Sequence, residues 1–274
     1  MRNLLKREQA PITEEAWAEI DEEAVRILKG NLSARGLVDF EGPKGLECAS
    51  VNLGRVGSEG KNALVKGVEW NVRAVLPLTE VKVPFSLDMA ELDNISKGAS
   101  DADLDPVCEA ARKLAMFEES ALYFGFDEGC IRGIVSSSQN NPEKLPGSAD
   151  SFTGAVESAI VAIEKNGIAG PYALVLGTSA YQKLAAGDNR GYPLKKRIEE
   201  MVRGGVKWSP AINGGALVSL RGGDYEMTVG QDIAVGYEGV SGNTIKLFMT
   251  ESFTFRVLDE RAAVALKPQG SRKK

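Results

Sequence analysis

The chain predicts an α+β protein of two lobes with a projecting arm, and three observations carry that expectation. Amphipathic helical segments open each half. A glycine-punctuated stretch between them has too little apolar surface to build a core. The last third is a run of short alternating segments bounded by turn residues.

Taken in order, Thr13 before Glu14 and Glu15 is a helix cap with acids in the first turn. Trp17, Ile20, Ala24, Ile27 and Leu28 then form one apolar face ending at Gly30. From Asn52 to Arg73, glycines at 54, 57, 60 and 67 interrupt short alternating stretches, as in a long two-stranded loop. Such a ribbon needs a neighbouring surface to lie on. Val81, Val83 and Phe85 alternate as a strand. Asp105-Pro106 reads as an N-cap and first helical residue. Val107, Ala110, Leu114, Phe117, Ala121 and Phe124 then mark one face of a long helix that stops at Gly125.

Residues 136–149 are rich in turn formers and predict a crossing between lobes. Beyond them, Phe152, Val156, Ile160 and Ile163 mark a helix, and Tyr172–Leu176 a buried strand. A short helix over 179–186 and another carrying Leu194, Ile198 and Met201 complete a compact unit. The C-terminal third predicts hairpins. Leu217–Leu220 and Tyr225–Val229 flank the turn Arg221-Gly222-Gly223-Asp224, and 233–237 and 244–250 flank Ser241-Gly242-Asn243. A last strand over 253–257 returns the chain.

The 274 residues are 43% hydrophobic and 26% charged, an ordinary globular composition. A net charge of -5 does not favour nucleic acid or anionic lipid as a partner, and the basic tail 270–274 reads as a solvated terminus. No apolar run reaches the roughly 20 residues of a membrane span, and the N-terminal segment lacks the apolar stretch of a signal peptide. Cys48, Cys108 and Cys130 are far apart and odd in number, which fits reduced thiols in a cytoplasmic protein.

Histidine is absent, which excludes Ser-His-Asp, Cys-His and histidine-ligated metal sites within one chain. Neither GxGxxG after a strand nor GxxxxGK[ST] occurs. Asp88, Glu91 and Asp93 invite comparison with a hard-metal site, but helix capping accounts for them. Ser136, Ser137 and Ser138 have no base placed beside them, and Cys130 reads as a packed small hydrophobe. No catalytic residue and no metal site is assigned.

Several segments in register resemble the family 1 encapsulins, also called linocin-type bacteriocin proteins. They are Leu4-Leu5-Lys6-Arg7 with Ala10–Thr13, Trp17 and Ile20-Asp21; Arg35–Pro43; Pro77-Leu78 with Phe85–Asp88 and Glu91–Asp93; Gly167–Val175; Gly191–Leu194; Arg221–Tyr225; Gly230–Tyr237; and Thr250–Phe255. Almost the whole chain is covered, in order and without large insertions.

The resemblance implies an HK97-type capsid fold. The P-domain would take 1–51, 74–134 and 225–274, the E-loop 52–73 and the A-domain 135–224. It implies a self-assembling icosahedral shell, with T=1 expected, around a cargo enzyme of the ferritin-like or dye-decolourising peroxidase type. Iron storage or oxidative-stress defence would be its use, with catalysis in the cargo and none in the shell. The positions matching the family's luminal groove for a terminal targeting peptide on the cargo are Leu28, Leu32, Arg35, Leu37, Asp39, Asp232, Ile233, Val235 and Tyr237. Apolar members would receive alternate aliphatic side chains, and Arg35, Asp39 and Asp232 would fix register. Gly187, Asp188, Asn189, Arg190, Gly191 and Tyr192 match the five-fold pore loop. Some relatives stack a flavin on an aromatic ring where this chain has Ala90, so no cofactor is expected here.

Two other readings share features with this one. A phage major capsid protein has the same fold, but here the N-terminal segment enters its helix almost at once. A hydrolase or bacteriocin lacks the histidine and nucleophile motif it needs.

Overall fold

A computed structural model describes residues 4–57, 65–145, 149–189 and 192–268. In chain order, a 3-10 turn at Arg7–Gln9 leads to helix α1 (Glu14–Asn31), a second turn at Ala34–Gly36 and strand β1 (Asp39–Glu41). The arm is β2 (Ser50–Val56) and β3 (Arg73–Pro77). Then come β4 (Thr79–Asp88), α2 (Met89–Ser96) and the long α3 (Asp105–Phe124). The inserted unit runs through β5 (Glu143–Leu145), α4 (Ala149–Glu164), β6 (Tyr172–Leu176), α5 (Thr178–Ala186), the two-residue strands β7 (Asp188–Asn189) and β8 (Tyr192–Pro193), α6 (Leu194–Val202), β9 (Arg203–Trp208) and β10 (Gly215–Ser219). The chain closes with β11 (Tyr225–Val229), β12 (Ala234–Ser241), β13 (Thr244–Val257) and β14 (Ala263–Pro268).

Thr13 caps α1, its hydroxyl accepting from Ala16 N at 3.3 Å. The expected apolar face is the one that packs: Ala16, Trp17, Ile20, Ala24, Ile27 and Leu28 join Val107, Cys108, Ala111, Leu114 and Ala115 of α3 in one core. Burying a leucine or isoleucine this way contributes about 1.5–3 kcal/mol. The start of α3 differs from expectation. Asp105 and Pro106 lie inside the first turn and Leu104 holds the cap position, because Asp103 Oδ1 already accepts from Asp105 N at 3.0 Å.

α3 serves both cores. Val107, Cys108, Ala111, Leu114 and Ala115 face the α1 side, while Ala121, Leu122 and Tyr123 belong to the second core with α4, β6 and β10. Phe124, expected on the apolar face, is 42% exposed, whereas Glu118 and Glu119 are fully buried.

One sheet places β13 between β4 and the β12 and β11 side, with β1 parallel on β11. The other has the order β5-β14-β10-β6-β9. The hairpin expected around residues 241–243 is present as β12 and β13, with Ser241 opposite Thr244. The one expected around Arg221–Asp224 is not. β10 pairs with β6 and β14, and β11 pairs with β1 and β13, so this turn carries the chain from one sheet to the other. Gly222 and Gly223 supply φ of 81° and 77° there. The strand expected over 253–257 is the far end of β13. β14 then joins the sheet of the inserted unit, although the sequence places 225–274 with the first lobe.

The arm is a two-stranded ribbon in which Ser50 opposes Pro77 and Val56 opposes Arg73. Leu76 at its root is buried, but Val56, Val68, Trp70, Val72 and Val75 are exposed. Helix and strand thus build two adjoining cores, and the ribbon alone lacks one.

Candidate functional site

The candidate groove is built where α1 ends. Leu28 comes from its last turn, Leu32 from its C-cap, Arg35 from the 3-10 turn after it, and Leu37 and Asp39 from the path into β1. Asp232 and Ile233 precede β12, which carries Val235 and Tyr237. Leu28, Leu32, Ile233, Val235 and Tyr237 meet at one apolar cluster. Leu28 and Val235 are buried within it, while Leu32, Ile233 and Tyr237 lie half-buried at its edge. Leu37 packs into the second core instead, and exposed Asp39 sits at the start of β1, its Oδ2 accepting from Gly223 N at 2.6 Å. Gly236 opposes Phe248, whose ring occupies the space a Cβ would fill, so β12 can lie close against β13 here.

Arg35 ties the two walls together. Its Nη1 donates to Asp232 Oδ1 at 2.9 Å. Nε and Nη2 grip Glu118 at 2.9 and 2.6 Å, and Nη2 also reaches Glu251 at 3.0 Å. Phe40 covers the guanidinium, its ring centroid 5.4 Å away. Burial works against the charge on Arg35, but the bonds from Glu118, Asp232 and Glu251 outweigh it and hold its pKa above the usual value. Burial first, and then the neighbouring Glu118, push the pKa of Glu251 well above the carboxylate range. Its Oε1 is buried without a hydrogen-bond partner among the described residues.

The adjacent Glu119 closes the same turn from the other side. It accepts from Ala34 N at 2.7 Å and from the hydroxyls of Ser33 and Ser209 at 2.6 Å. Burial raises its pKa, and these bonds lower it. Glu118, Glu119 and Glu251 are the site residues that sequence reasoning missed. Their one legible signal is a pair of adjacent acids set among the apolar positions of α3.

Elsewhere the expected chemistry resolves into structure. Asp88 caps α2, accepting from Ala90 N at 2.8 Å and from Asn243 Nδ2 at 2.6 Å, while Glu91 accepts from Asp103 N at 2.9 Å. Among the described residues no group of three or more carboxylates or thiols could hold a metal ion. Ser136 and Ser138 donate to backbone carbonyls. All three cysteines are free thiols, and Cys130, expected to be packed, is exposed in a left-handed turn at φ 56°. A cavity of about 400 Å³ between the arm root and β13 has Leu46, Cys48, Leu78, Phe248 and the Lys82 ammonium among its walls; Ala90 is not one of them. Of the pore-loop positions, Gly187 ends α5, and Asp188, Asn189 and Tyr192 belong to the β7–β8 pair. Arg190 and Gly191 lie outside the described residues, as does the basic tail 270–274. No helix among the described residues is long and apolar enough to cross a membrane.

Two discontinuous lobes joined by a spine helix, with a projecting ribbon, make a capsid-type fold, and solved structures share it. The virus-like particle of Pyrococcus furiosus superposes with a TM-score of 0.66 at 20% identity, covering 91% of this chain and 98% of that one. A structure titled Mycobacterium phage Bobi gives 0.59 at 18% identity, covering 88% and 91%. These likenesses establish the HK97-type fold. Residues 1–254 match the linocin M18 family, described as encapsulating protein for peroxidase. The type 1 encapsulin shell protein of Rhodospirillum rubrum is 43% identical over 270 residues, 97% of this chain and 96% of that one. The chain belongs to the type 1 encapsulin shell protein family.

Proposed function

We propose that this protein closes into an icosahedral T=1 shell around a peroxidase or ferritin-like cargo, in the cytoplasm, and holds it by a targeting peptide docked beside the end of α1. The shell itself is a structural protein. Catalysis, whether against peroxides or in iron storage, belongs to the enzyme inside. The carrying observation is the arm of a family member, which presents Val56, Val68, Val72 and Val75 to solvent within its own chain. An exposed apolar surface of that kind is covered by a partner, and a second copy of the chain is the partner a closed shell provides.

Leu32, Ile233 and Tyr237 offer the peptide its apolar edge, and Asp232 its polar contact. Gly187–Tyr192 match the five-fold pore loop, where a ring of Asp188 or of Arg190 would screen ions. The shell carries no flavin, since the methyl group of Ala90 gives no ring to stack on. Electron microscopy of the chain expressed alone tests the reading. Uniform hollow particles are the expected result; a small discrete oligomer in every buffer tried would sink it.

A further inference from the structure

Charged side chains meet where the two cores join. In α3, Ala115 belongs to the α1 core and Ala121 to the second, with Glu118 between them. In β13, Met249 belongs to the α1 core and Phe253 to the second, with Glu251 between. Arg35 stands where the chain leaves Leu32 of one core for Ala34 and Leu37 of the other, and Asp232 lies between Val229 and Ile233 at the return crossing. Separate passages of the chain thus change core at one place, and each puts a charge there. Replacing such a cluster by apolar residues is often neutral or stabilising, so its presence calls for a role other than adhesion.

The cluster has one cation for three acids. Arg35 Nη2 donates to Glu118 at 2.6 Å and to Glu251 at 3.0 Å, so two wholly buried carboxyls converge on one nitrogen. Asp232, on Nη1 at 2.9 Å, is 44% exposed and partly solvated. One guanidinium balances a single charge of the buried pair, and Glu251 Oε1 has no hydrogen-bond partner among the described residues. A buried carboxyl so placed costs far less with its proton than without it. The β4 residue opposite Glu251 is Val81. Val81 and Val83 both pack inward, which turns Glu80 and Lys82 to the other face of the sheet. Glu119, next along α3, is committed to Ala34 N and to the Ser33 and Ser209 hydroxyls.

We propose that the seam is a proton-held joint: a proton on Glu251, beside Glu118, keeps the two cores clamped through Arg35, and its loss opens the turn at 33–37 without melting either core. The direction follows from burial. Glu251 is held above the ordinary carboxylate value, so the proton is present through that range and leaves as pH rises through the folded value. Once ionised, the pair sets like charges on one nitrogen; Arg35 no longer satisfies both, and water enters the seam.

The test follows the full chain from about pH 6 to about pH 10 by two measurements. Infrared difference spectra read the carbonyl band of a protonated carboxyl. Hydrogen exchange with mass spectrometry, corrected for the intrinsic pH dependence of exchange, reads the turn. Wild type should show a band that is absent from Glu251→Gln and is lost as pH rises. Peptides over 33–37 should exchange at least about tenfold faster across the same step. Peptides over 107–115 and 172–176, inside the two cores, should stay protected. Glu251→Gln, with no proton to lose, should hold the turn protected throughout. Absence of the band from wild type overturns the joint, as does a band lost with the turn unchanged. Core peptides that loosen together with the turn overturn it too, since that step is unfolding. A step that persists in Glu251→Gln belongs to another acid, such as Glu119, and overturns the assignment. The wild-type spectra and exchange decide even where the variant fails to fold.

Discussion

Arg35 and Glu118 face each other fork to fork: Nε meets Oε1 at 2.9 Å and Nη2 meets Oε2 at 2.6 Å, with the glutamate wholly buried. Two parallel bonds of this kind fix orientation as well as distance. The pair ties the turn after α1 to the middle of the spine helix, so the groove's position follows from a core ion pair.

Removing one partner of a buried pair leaves the other uncompensated. Glu118→Ala should therefore destabilise the subunit by about 3–5 kcal/mol, and Arg35→Ala comparably, since it strands the acids. The double variant Arg35→Met with Glu118→Leu should recover much of the loss. Guanidinium unfolding followed by tryptophan fluorescence measures all three. Singles within about 1 kcal/mol of wild type would show that the cluster carries little of the fold's stability.

Glu251 has a pH signature of definite sign. Its folded pKa lies well above the ordinary carboxylate value because it is buried beside Glu118. Between those two pKa values the folded state binds more protons than the unfolded state. The stability this carboxyl contributes is complete below the unfolded pKa and is lost as pH rises through the folded one. Glu119 is shifted in the same direction by burial. Melting temperature should therefore fall as pH rises from the unfolded carboxylate range, and Glu251→Gln should flatten the fall without abolishing it. An unchanged slope in Glu251→Gln would mean that other groups carry the dependence.

The arm separates assembly from folding. Val72 is 59% exposed and Val56 61%, so aspartate at either position disturbs little within one chain. Across a subunit contact the same change buries a charge without a partner. Val72→Asp should yield folded subunits that sediment as small species, with far-ultraviolet circular dichroism unchanged. Intact particles from both variants would place the arm outside the contacts that hold the shell.

Much of this architecture is readable from local pattern. The cap at Thr13, the face from Trp17 to Leu28 and the turn between β12 and β13 each depend on neighbours a few residues away. The turn at Arg221–Asp224 is just as visible, but turn chemistry specifies a change of direction and says nothing of which strand pairs next. Here β10 and β11 enter different sheets. The anchored Arg35 is further out of reach. Its partners lie 83, 197 and 216 residues away, and only the folded chain brings them together. The resemblance placed Arg35 and Asp232 in the groove, but it left open that each is the other's partner. Glu118 and Glu119 read as polar interruptions of a helix face until the turn they clasp is in place.

That crossing supplies a graded test of where charge contributes to stability. Arg221 Nη2 donates to Asp224 Oδ1 at 2.7 Å and to Asp259 Oδ2 at 3.1 Å, and Arg261 Nε binds Asp259 Oδ1 at 2.9 Å. The side chain of Asp224 is only 3% exposed, whereas that of Arg261 is 52% exposed. Arg221→Ala strands a buried carboxylate and should cost about 2–3 kcal/mol. Arg261→Ala breaks an exposed, solvent-screened pair and should cost far less. Because the turn joins the two sheets, the first variant should also raise hydrogen exchange at Gly223 and Leu258, whose amides bond to Asp39 and Asp224 across it. Equal costs for the two arginines would mean that burial at the crossing does not set the strength of its ion pairs.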